Sequence, residues 1–106
     1  VYVMPSVSDP FGISCLEAMY TGTPAVVSLQ TGIAEIVENV LKVNYWDVDG
    51  ISDGILRLLR DNHFARDLAH RARGEALRIT WDHPASRCLA VYREVLAPAG
   101  RTPGRE

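Results

Sequence analysis

The chain has little cysteine, few aromatic residues, no marked excess of either charge and no long apolar run. Only 2 of its 106 residues are cysteine, and 8% are aromatic. No apolar run reaches the ~20 residues that cross a bilayer, so a membrane-spanning helix is excluded within this sequence. Lysine and arginine number 11 against 13 aspartates and glutamates. Because a basic excess is what neutralises phosphates, we expect no nucleic-acid partner.

The two cysteines, Cys15 and Cys88, follow no metal-ligand spacing. Both fall in stretches with a helical pattern, so we predict buried free thiols in the reducing cytoplasm. The sequence shows no signal peptide and begins on an apolar run at residues 1–4 that is typical of a core strand. We therefore expect the natural protein to be longer than this chain.

The pattern predicts one small α/β domain at residues 1–96. Apolar runs predict strands at 1–4, 25–27 and 40–45, and helical spacing predicts helices between and after them. This order favours a partial Rossmann-like parallel sheet with flanking helices and C-terminal helices packed on it. The predicted helices are 12–21, a short helix capped by Thr31, one capped by Asp47 or Asp49, 64–79 capped by Asn62, and 82–96. Residues 97–106 are rich in proline, glycine and charge and are predicted to form a disordered tail.

The loop after the first strand is the first candidate for a binding site. It lies at the carboxyl edge of the sheet, where open α/β sheets bind their ligands. The helix after Gly12 points its N-terminus at the same edge. Its free backbone N–H groups, with the helix dipole, form an anion site. The local pattern alone explains Gly12 equally well as the residue of a tight turn.

Two acids flank this helix start, Asp9 in the loop and Glu17 one turn into the helix. Carboxylates accept hydrogen bonds from the hydroxyls of a sugar or a ribose. Taken without further information, both are explained as ordinary surface acids. Glu17 is the more informative of the two, because its neighbours Leu16, Ala18 and Met19 are all apolar.

The segment that contains both acids also carries a resemblance. Residues 5–19 read PSVSDPFGISCLEAM, and residues 22–24 read GTP. They resemble the signature of glycosyltransferase family 4: a Pro-Ser strand end, Glu-Pro-Phe-Gly, Leu-Glu-Ala-Met and Gly-Thr-Pro. Asp9 and Glu17 stand at the spacing of the family's two acids. Gly32 and Glu35 resemble its Gly-Gly-x-x-Glu-Ile-Val element.

The resemblance implies the C-terminal, donor-binding part of a retaining glycosyltransferase (a hexosyltransferase) with the GT-B fold. Such an enzyme moves a sugar from a nucleotide diphosphate sugar to an acceptor hydroxyl. The resemblance implies no metal and no other cofactor, since helix dipoles and basic side chains stabilise the leaving diphosphate. The Asp-x-Asp unit at 47–49 is interpreted as a helix-capping turn. The N-terminal acceptor domain and the family's basic residues would lie upstream, so we expect a fragment that is inactive alone.

The resemblance also implies residue roles. Asp9 would be the acid of the catalytic site and would hold hydroxyls of the transferred sugar. Glu17 would bind the ribose hydroxyls, and Leu16 would pack beside the ribose and phosphate. The contacts to the sugar, its phosphate or the diphosphate would come from Phe11, Gly12, Ile13 and Gly32. Asp9 stands where the family has Glu, which draws the carboxylate back by about 1.5 Å.

Two other functions remain open at this point. One is a non-catalytic Rossmann-like module that assembles with itself or a partner through an exposed sheet edge. The other is a nucleotide-sugar epimerase or a phosphorylase of similar fold. The arginine-rich stretch at 57–73 is interpreted as a solvated helix face in a cytoplasmic protein, with lipid headgroups of the inner membrane as the alternative contact. Trp46 and Trp81 are interpreted as core or helix-docking aromatics.

Overall fold

The computed structural model describes residues 1–97 and folds them into three strands and five helices. The elements in chain order are β1 (Tyr2–Met4), α1 (Ile13–Tyr20), β2 (Ala25–Ser28), α2 (Gly32–Ile36), β3 (Leu41–Val43), α3 (Val48–Arg60), α4 (Asn62–Ala76) and α5 (Asp82–Leu96). The predicted disordered tail, apart from Ala97, lies outside the described residues.

The sheet is parallel, with the strands in the order β1-β2-β3. Val3 pairs with Val26, and Val27 pairs with Lys42. Each pair of neighbouring strands is joined through a helix, because parallel strands need a crossover connection. The predicted α/β fold class, a partial Rossmann-like parallel sheet with helices, is confirmed.

The core consists of one apolar cluster on each face of the sheet. β2 contributes to both, since Ala25 and Val27 belong to the first cluster and Val26 to the second. Such alternation is expected of a strand that is covered on both faces. The first cluster contains residues of α1, α2 and α4, whereas the second contains residues of α3 and α4. α4 therefore ties the two layers together.

A carboxylate of α4 also holds the segment between α2 and β3. Glu75 accepts the backbone N–H of Glu38 at 2.7 Å and that of Asn39 at 2.8 Å, and it accepts the Asn39 side-chain amide as well. Partial burial alone would raise the pKa of Glu75. These hydrogen bonds, together with the nearby charge of Lys42, outweigh that effect and lower the pKa. The hydrogen bonds from Glu38 and Asn39 therefore stabilise the folded state when the Glu75 carboxyl is ionised.

Glu75→Gln should lower the free energy of unfolding by about 1 kcal/mol at pH 7, because the loop donors lose a charged acceptor that is only partly shielded from water. The lowered pKa means that this stabilisation is complete above the ordinary glutamate value of 4.5 and is lost as the pH falls through the folded value. Urea unfolding at pH 7 and pH 3 checks this. The exposed Glu94→Gln serves as the matched control, and an equal effect of the two variants at pH 7 would contradict the assignment.

The helix boundaries correct three predictions. α4 begins at Asn62, and its cap is Asp61, whose Oδ1 accepts the N–H of Phe64 at 2.9 Å, so Asn62 is not the cap. α4 ends at Ala76, three residues before the predicted end. Thr31 precedes α2 as predicted, but its hydroxyl donates to the carbonyl of Ser28 and caps no N–H group.

The last helix departs most from the prediction that the C-terminal helices pack on the sheet. α5 buries none of its residues. Apolar side chains that a core helix would cover stay exposed along it, including Leu89, Tyr92 and Leu96. Cys88 is exposed too, which corrects the prediction of a buried thiol there, while Cys15 is buried as predicted. Each of the described helices is too short or too polar to traverse a bilayer.

The two cysteines give a direct test of how α1 packs. Burial raises the pKa of Cys15 to about 11, and thiols react through their thiolates. At pH 8, a thiol reagent should modify Cys88 at least about 100-fold faster than Cys15, which must wait for local unfolding. A Cys88→Ser variant should retain only the slow reaction. Two thiols reacting at equal speed would show that α1 does not cover the sheet in this way.

Candidate functional site

Three loops meet at the carboxyl edge of the sheet, because each leaves the end of a parallel strand. Residues 5–12 follow β1, residues 29–31 follow β2, and residues 44–47 follow β3. Asp9 and Thr31 form an isolated parallel bridge, so the loops after β1 and β2 are also paired beyond the ends of their strands. The predicted site residues of the first loop therefore lie beside the start of α2.

The first loop is folded by its own acid. Asp9 Oδ1 accepts the backbone N–H of Phe11, two residues on, at 3.1 Å, a turn that aspartate forms readily. The loop is then joined to α2, since Gly32 donates its N–H to the Asp9 carbonyl at 3.0 Å and Ile33 donates to the Phe11 carbonyl at 2.6 Å. These two N–H groups are thus already satisfied within the protein.

Gly32 and Gly12 are both required by close contacts. A Cβ added to Gly32 would lie 2.1 Å from the Pro10 carbonyl oxygen, so a larger residue would force the loop away from α2. Gly12 has a φ of 108°, in the region that favours glycine, and a Cβ there would meet Met4 Cε at 2.6 Å. Gly12 is therefore needed for the turn, because its backbone conformation favours glycine and the side chain of Met4 leaves no room for a Cβ.

The N-terminus of α1 is open. The first N–H groups with partners belong to Cys15 and Leu16, and both donate to the Gly12 carbonyl. Among residues 1–97, the N–H groups of Gly12, Ile13 and Ser14 have no acceptor, and no side chain caps the helix. Unpaired N–H groups and the positive end of the helix dipole together favour an anion at this point.

The two predicted acids are available to a ligand. Glu17 is exposed and makes no ion pair in the described chain, where Arg71 with Asp67 forms the single salt bridge. Asp9 is half-buried and uses Oδ1 for its turn, which leaves Oδ2 without a partner among residues 1–97. Residues 5–20 contain no lysine or arginine. Within this segment the positive potential therefore comes from the N-terminus of α1, and Asp9 and Glu17 are its two carboxylates.

The apolar members of the predicted site differ in exposure. Phe11 and Leu16 are half-buried and pack against the first core cluster. Ile13 is 52% exposed at the first position of α1. Phe11 and Leu16 therefore anchor the loop and the helix start to the core, while the side chain of Ile13 is largely exposed.

Nothing in the described range gathers three metal-ligating side chains. The Asp-x-Asp unit serves a different purpose, since Asp47 Oδ1 accepts the N–H of Gly50 at 2.9 Å at the start of α3. Its interpretation as a helix-capping turn is confirmed.

The carboxyl edge holds further residues that sequence reasoning passed over. Gln30 joins the second loop to the third, because its Nε2 donates to Asn44 Oδ1 at 3.0 Å and its Oε1 accepts the N–H of Tyr45 at 3.1 Å. Trp46 follows and is 62% exposed, and Trp81 is 80% exposed. The interpretation of both tryptophans as core or helix-docking aromatics was wrong. Gln30 and Trp46 each follow a strand closely, a signal that would have drawn attention to them.

Most of the chain is similar in sequence to known glycosyltransferases. Residues 1–75 match the family model described as Glycosyl transferases group 1. The chain is 37% identical over 105 residues to an uncharacterized glycosyltransferase of Methanocaldococcus jannaschii. The alignment covers 95% of this chain and 27% of that protein. The chain is 38% identical over 101 residues to a D-inositol 3-phosphate glycosyltransferase of Frankia alni, in an alignment that covers 92% of this chain and 25% of that protein.

A solved structure shares the fold. Sucrose-phosphate synthase from Thermosynechococcus elongatus superposes with a TM-score of 0.73 at 31% identity, covering 90% of this chain and 25% of that one. The chain thus spans about a quarter of the length of the relatives it matches.

Proposed function

This chain belongs to the glycosyl transferases group 1 family, and from that premise we propose that it is the nucleotide-sugar-binding part of a retaining glycosyltransferase. The observation that carries the proposal is the open N-terminus of α1, preceded in the chain by the unpartnered Oδ2 of Asp9 and followed one turn later by the exposed Glu17. An anion site between hydroxyl acceptors suits a ligand that has a diphosphate in its middle and a polyol at each end. A nucleotide diphosphate sugar has this arrangement.

In this proposal, each group acts on one part of the donor. The N–H groups of Gly12, Ile13 and Ser14 bind the diphosphate and stabilise the charge that develops as it leaves. Glu17 accepts the two ribose hydroxyls. The free oxygen of Asp9 accepts hydroxyls of the transferred sugar and so fixes the anomeric carbon relative to the acceptor.

Gly32 has a different part in the proposal from the one implied by the resemblance. Its N–H is committed to Asp9, so it contributes no hydrogen bond to the diphosphate. Its missing side chain lets the loop of Asp9 and Phe11 close against α2. Gly32 thereby positions Asp9. No metal enters this scheme, in which the helix start supplies the positive potential.

Transfer requires an acceptor, and we propose that a further domain of the natural protein completes its site. Two observations support this: relatives about four times as long, and the uncovered apolar face of α5, which includes Leu89, Tyr92 and Leu96. The described chain alone is then inactive in transfer. Free thiols at Cys15 and Cys88 suit the reducing cytoplasm as the place of reaction.

The second candidate, assembly through a sheet edge, also has an observation in its favour. β1 ends the sheet on one side, and its outer edge has no strand partner among residues 1–97. Unpaired strand edges bind other strands, including those of a second copy. Sedimentation of the chain separates the two functions, because donor binding needs no dimer, whereas this candidate requires concentration-dependent association that a Val3→Pro substitution abolishes.

The test of the donor proposal compares two ligands in one titration series. Asp9→Ala should weaken the binding of a nucleotide diphosphate sugar while leaving the free nucleotide diphosphate unchanged. Asp9→Asn keeps an acceptor for the Phe11 N–H and loses the charge, so it separates ligand contact from loop folding. Asp53→Ala, at an exposed position on α3, is the matched control. Equal losses for both ligands in Asp9→Asn would remove Asp9 from sugar recognition.

A further inference from the structure

The turn after β3 displays two aromatic side chains at the edge of the sheet. Asp47 donates its N–H to the Asn44 carbonyl at 3.0 Å, which closes a four-residue turn with Tyr45 and Trp46 at its corners. The two rings stand edge to face, with centroids 5.0 Å apart and an interplanar angle of 85°. Trp46 is 62% exposed and Tyr45 is 37% exposed. Trp46 is therefore mostly exposed, while Tyr45 is partly covered and contacts the Trp46 ring.

This composition is unusual for a turn. Turn corners favour glycine, asparagine, aspartate, serine and proline, each for a backbone reason that tyrosine and tryptophan lack. Burial of a tryptophan ring also stabilises a fold strongly, and an exposed tryptophan lacks that contribution. Apart from the edge-to-face contact with Tyr45, the described residues give the indole of Trp46 little packing that would stabilise the fold.

The turn is physically connected to the donor edge. Gln30 holds it by two hydrogen bonds, and the next residue, Thr31, forms the bridge to Asp9. Neighbouring strands lie about 4.8 Å apart, so the ends of β1 and β3, which have β2 between them, are about 10 Å apart. That distance is one to two sugar rings. A saccharide of a few rings is therefore long enough to extend along this edge from the end of β1 to the end of β3.

We propose that the Tyr45–Trp46 turn is an acceptor subsite that binds a pyranose ring of a saccharide acceptor. The proposal rests on the proposed function, since it takes the donor to lie at the first loop. One face of a pyranose carries mostly C–H groups and packs on an aromatic ring through dispersion and weak C–H contacts. The hydroxyls at the rim of the same ring need polar partners.

Two amide side chains adjoin the turn, because Asn44 precedes Tyr45 and Gln30 hydrogen-bonds to both residues. Asn44 uses its Oδ1 for Gln30, and its Nδ2 has no acceptor in the described range. Gln30 donates one of its two Nε2 hydrogens to Asn44 and keeps the other. An aromatic surface with fixed amide donors at its side meets both requirements of a sugar ring. A purely apolar protein partner would leave these donors without acceptors.

The experiment follows the two indole N–H signals of the 106-residue chain by NMR, because Trp46 and Trp81 are its only tryptophans. The probes are the methyl α-pyranosides of glucose, mannose and galactose. We expect a saturable shift of the Trp46 signal with at least one glycoside at millimolar concentrations and no shift of the more exposed Trp81. Trp46→Ala should weaken that binding at least about tenfold, whereas Trp81→Ala, the matched control, should leave it unchanged.

The outcomes separate this inference from the proposed function. Absence of a saturable Trp46 response to all three glycosides, or equal responses at both indoles, overturns the subsite. The same samples are titrated with UDP, GDP and ADP, whose shifts at residues 12–17 should be the same in Trp46→Ala as in the parent chain. A glycoside response at Trp46 without any nucleotide response overturns the proposed function, and with it the assignment of this surface to an acceptor.

Discussion

Replacement of Glu17 with alanine should reduce the affinity of the chain for nucleoside diphosphates at least about tenfold. The two ribose hydroxyls would lose their charge-assisted hydrogen bonds to the Glu17 carboxylate. Nucleoside diphosphates and their sugar conjugates should lose affinity equally, since both contain the ribose. Stability should hardly change, because Glu17 is exposed and has no ion pair in the described chain. Calorimetric or NMR titration of both ligands, beside urea unfolding, measures the two effects separately.

Two controls sharpen this prediction. Glu94→Ala removes an acid that is also exposed, on α5, and should leave the affinity unchanged. A 2′-deoxyribose nucleotide should bind the parent chain more weakly than its ribose counterpart, and it should bind parent and Glu17→Ala with more similar affinities. Unchanged affinity of Glu17→Ala for the ribose nucleotide would take Glu17 out of the site.

The second large effect concerns Gly32. Gly32→Ala would place a Cβ 2.1 Å from the Pro10 carbonyl oxygen, and the atom in the way belongs to the backbone, so it cannot rotate aside. We expect a loss of about 2–3 kcal/mol in the free energy of unfolding. The loop that holds Asp9 should move away from α2, so the extra affinity of a nucleotide sugar over the free nucleotide should fall as well.

Gly74 provides the opposite expectation within the same chain. It lies in α4, and nothing comes within 4 Å of the position of an added Cβ. Gly74→Ala should therefore raise the free energy of unfolding by about 0.5–1 kcal/mol, since alanine favours the helix over glycine. Urea unfolding of the two variants and the parent measures both. A Gly32→Ala variant as stable as the parent would contradict the close contact between the loop and α2.

The elements that the sequence predicts well are those with a local physical signal. The strands at Tyr2–Met4 and Ala25–Ser28 are short apolar runs ended by turn residues. Helix α1 is bounded by Gly12 and by Gly22, and both glycines have positive φ in the structure. The parallel order follows from the alternation of strand and helix. In each case the residue types and the backbone conformation require one another.

The errors arise where non-local contacts decide. An Asp at 61 and an Asn at 62 are both good caps, and the choice of Asp61 depends on which N–H group the chain brings within reach. The apolar spacing of α5 predicts a buried face, yet no described residue covers it. The same limit explains Cys88 and Trp46, since a pattern shows that a side chain is apolar but not that something packs on it.

The candidate site was predicted mainly through the resemblance, and its residue roles stay predictions. Local reasoning identified the helix start after Gly12 and left both acids as ordinary surface groups. The structure adds two features that no spacing reveals: the turn that Asp9 forms with Phe11, and the bond from Gly32 to Asp9. Both depend on distances between backbone atoms that only the folded chain fixes.

The most direct measurement of the central claim is chemical-shift mapping of this chain with UDP, GDP and ADP, followed by their glucose and mannose conjugates. Saturable shifts centred on the N–H groups of Gly12, Ile13 and Ser14 and reaching Glu17 are the predicted result. The sugar conjugates should add shifts at Asp9. A chain whose N–H signals at the start of α1 respond to none of these ligands at millimolar concentrations would contradict the assignment of this edge as the donor site.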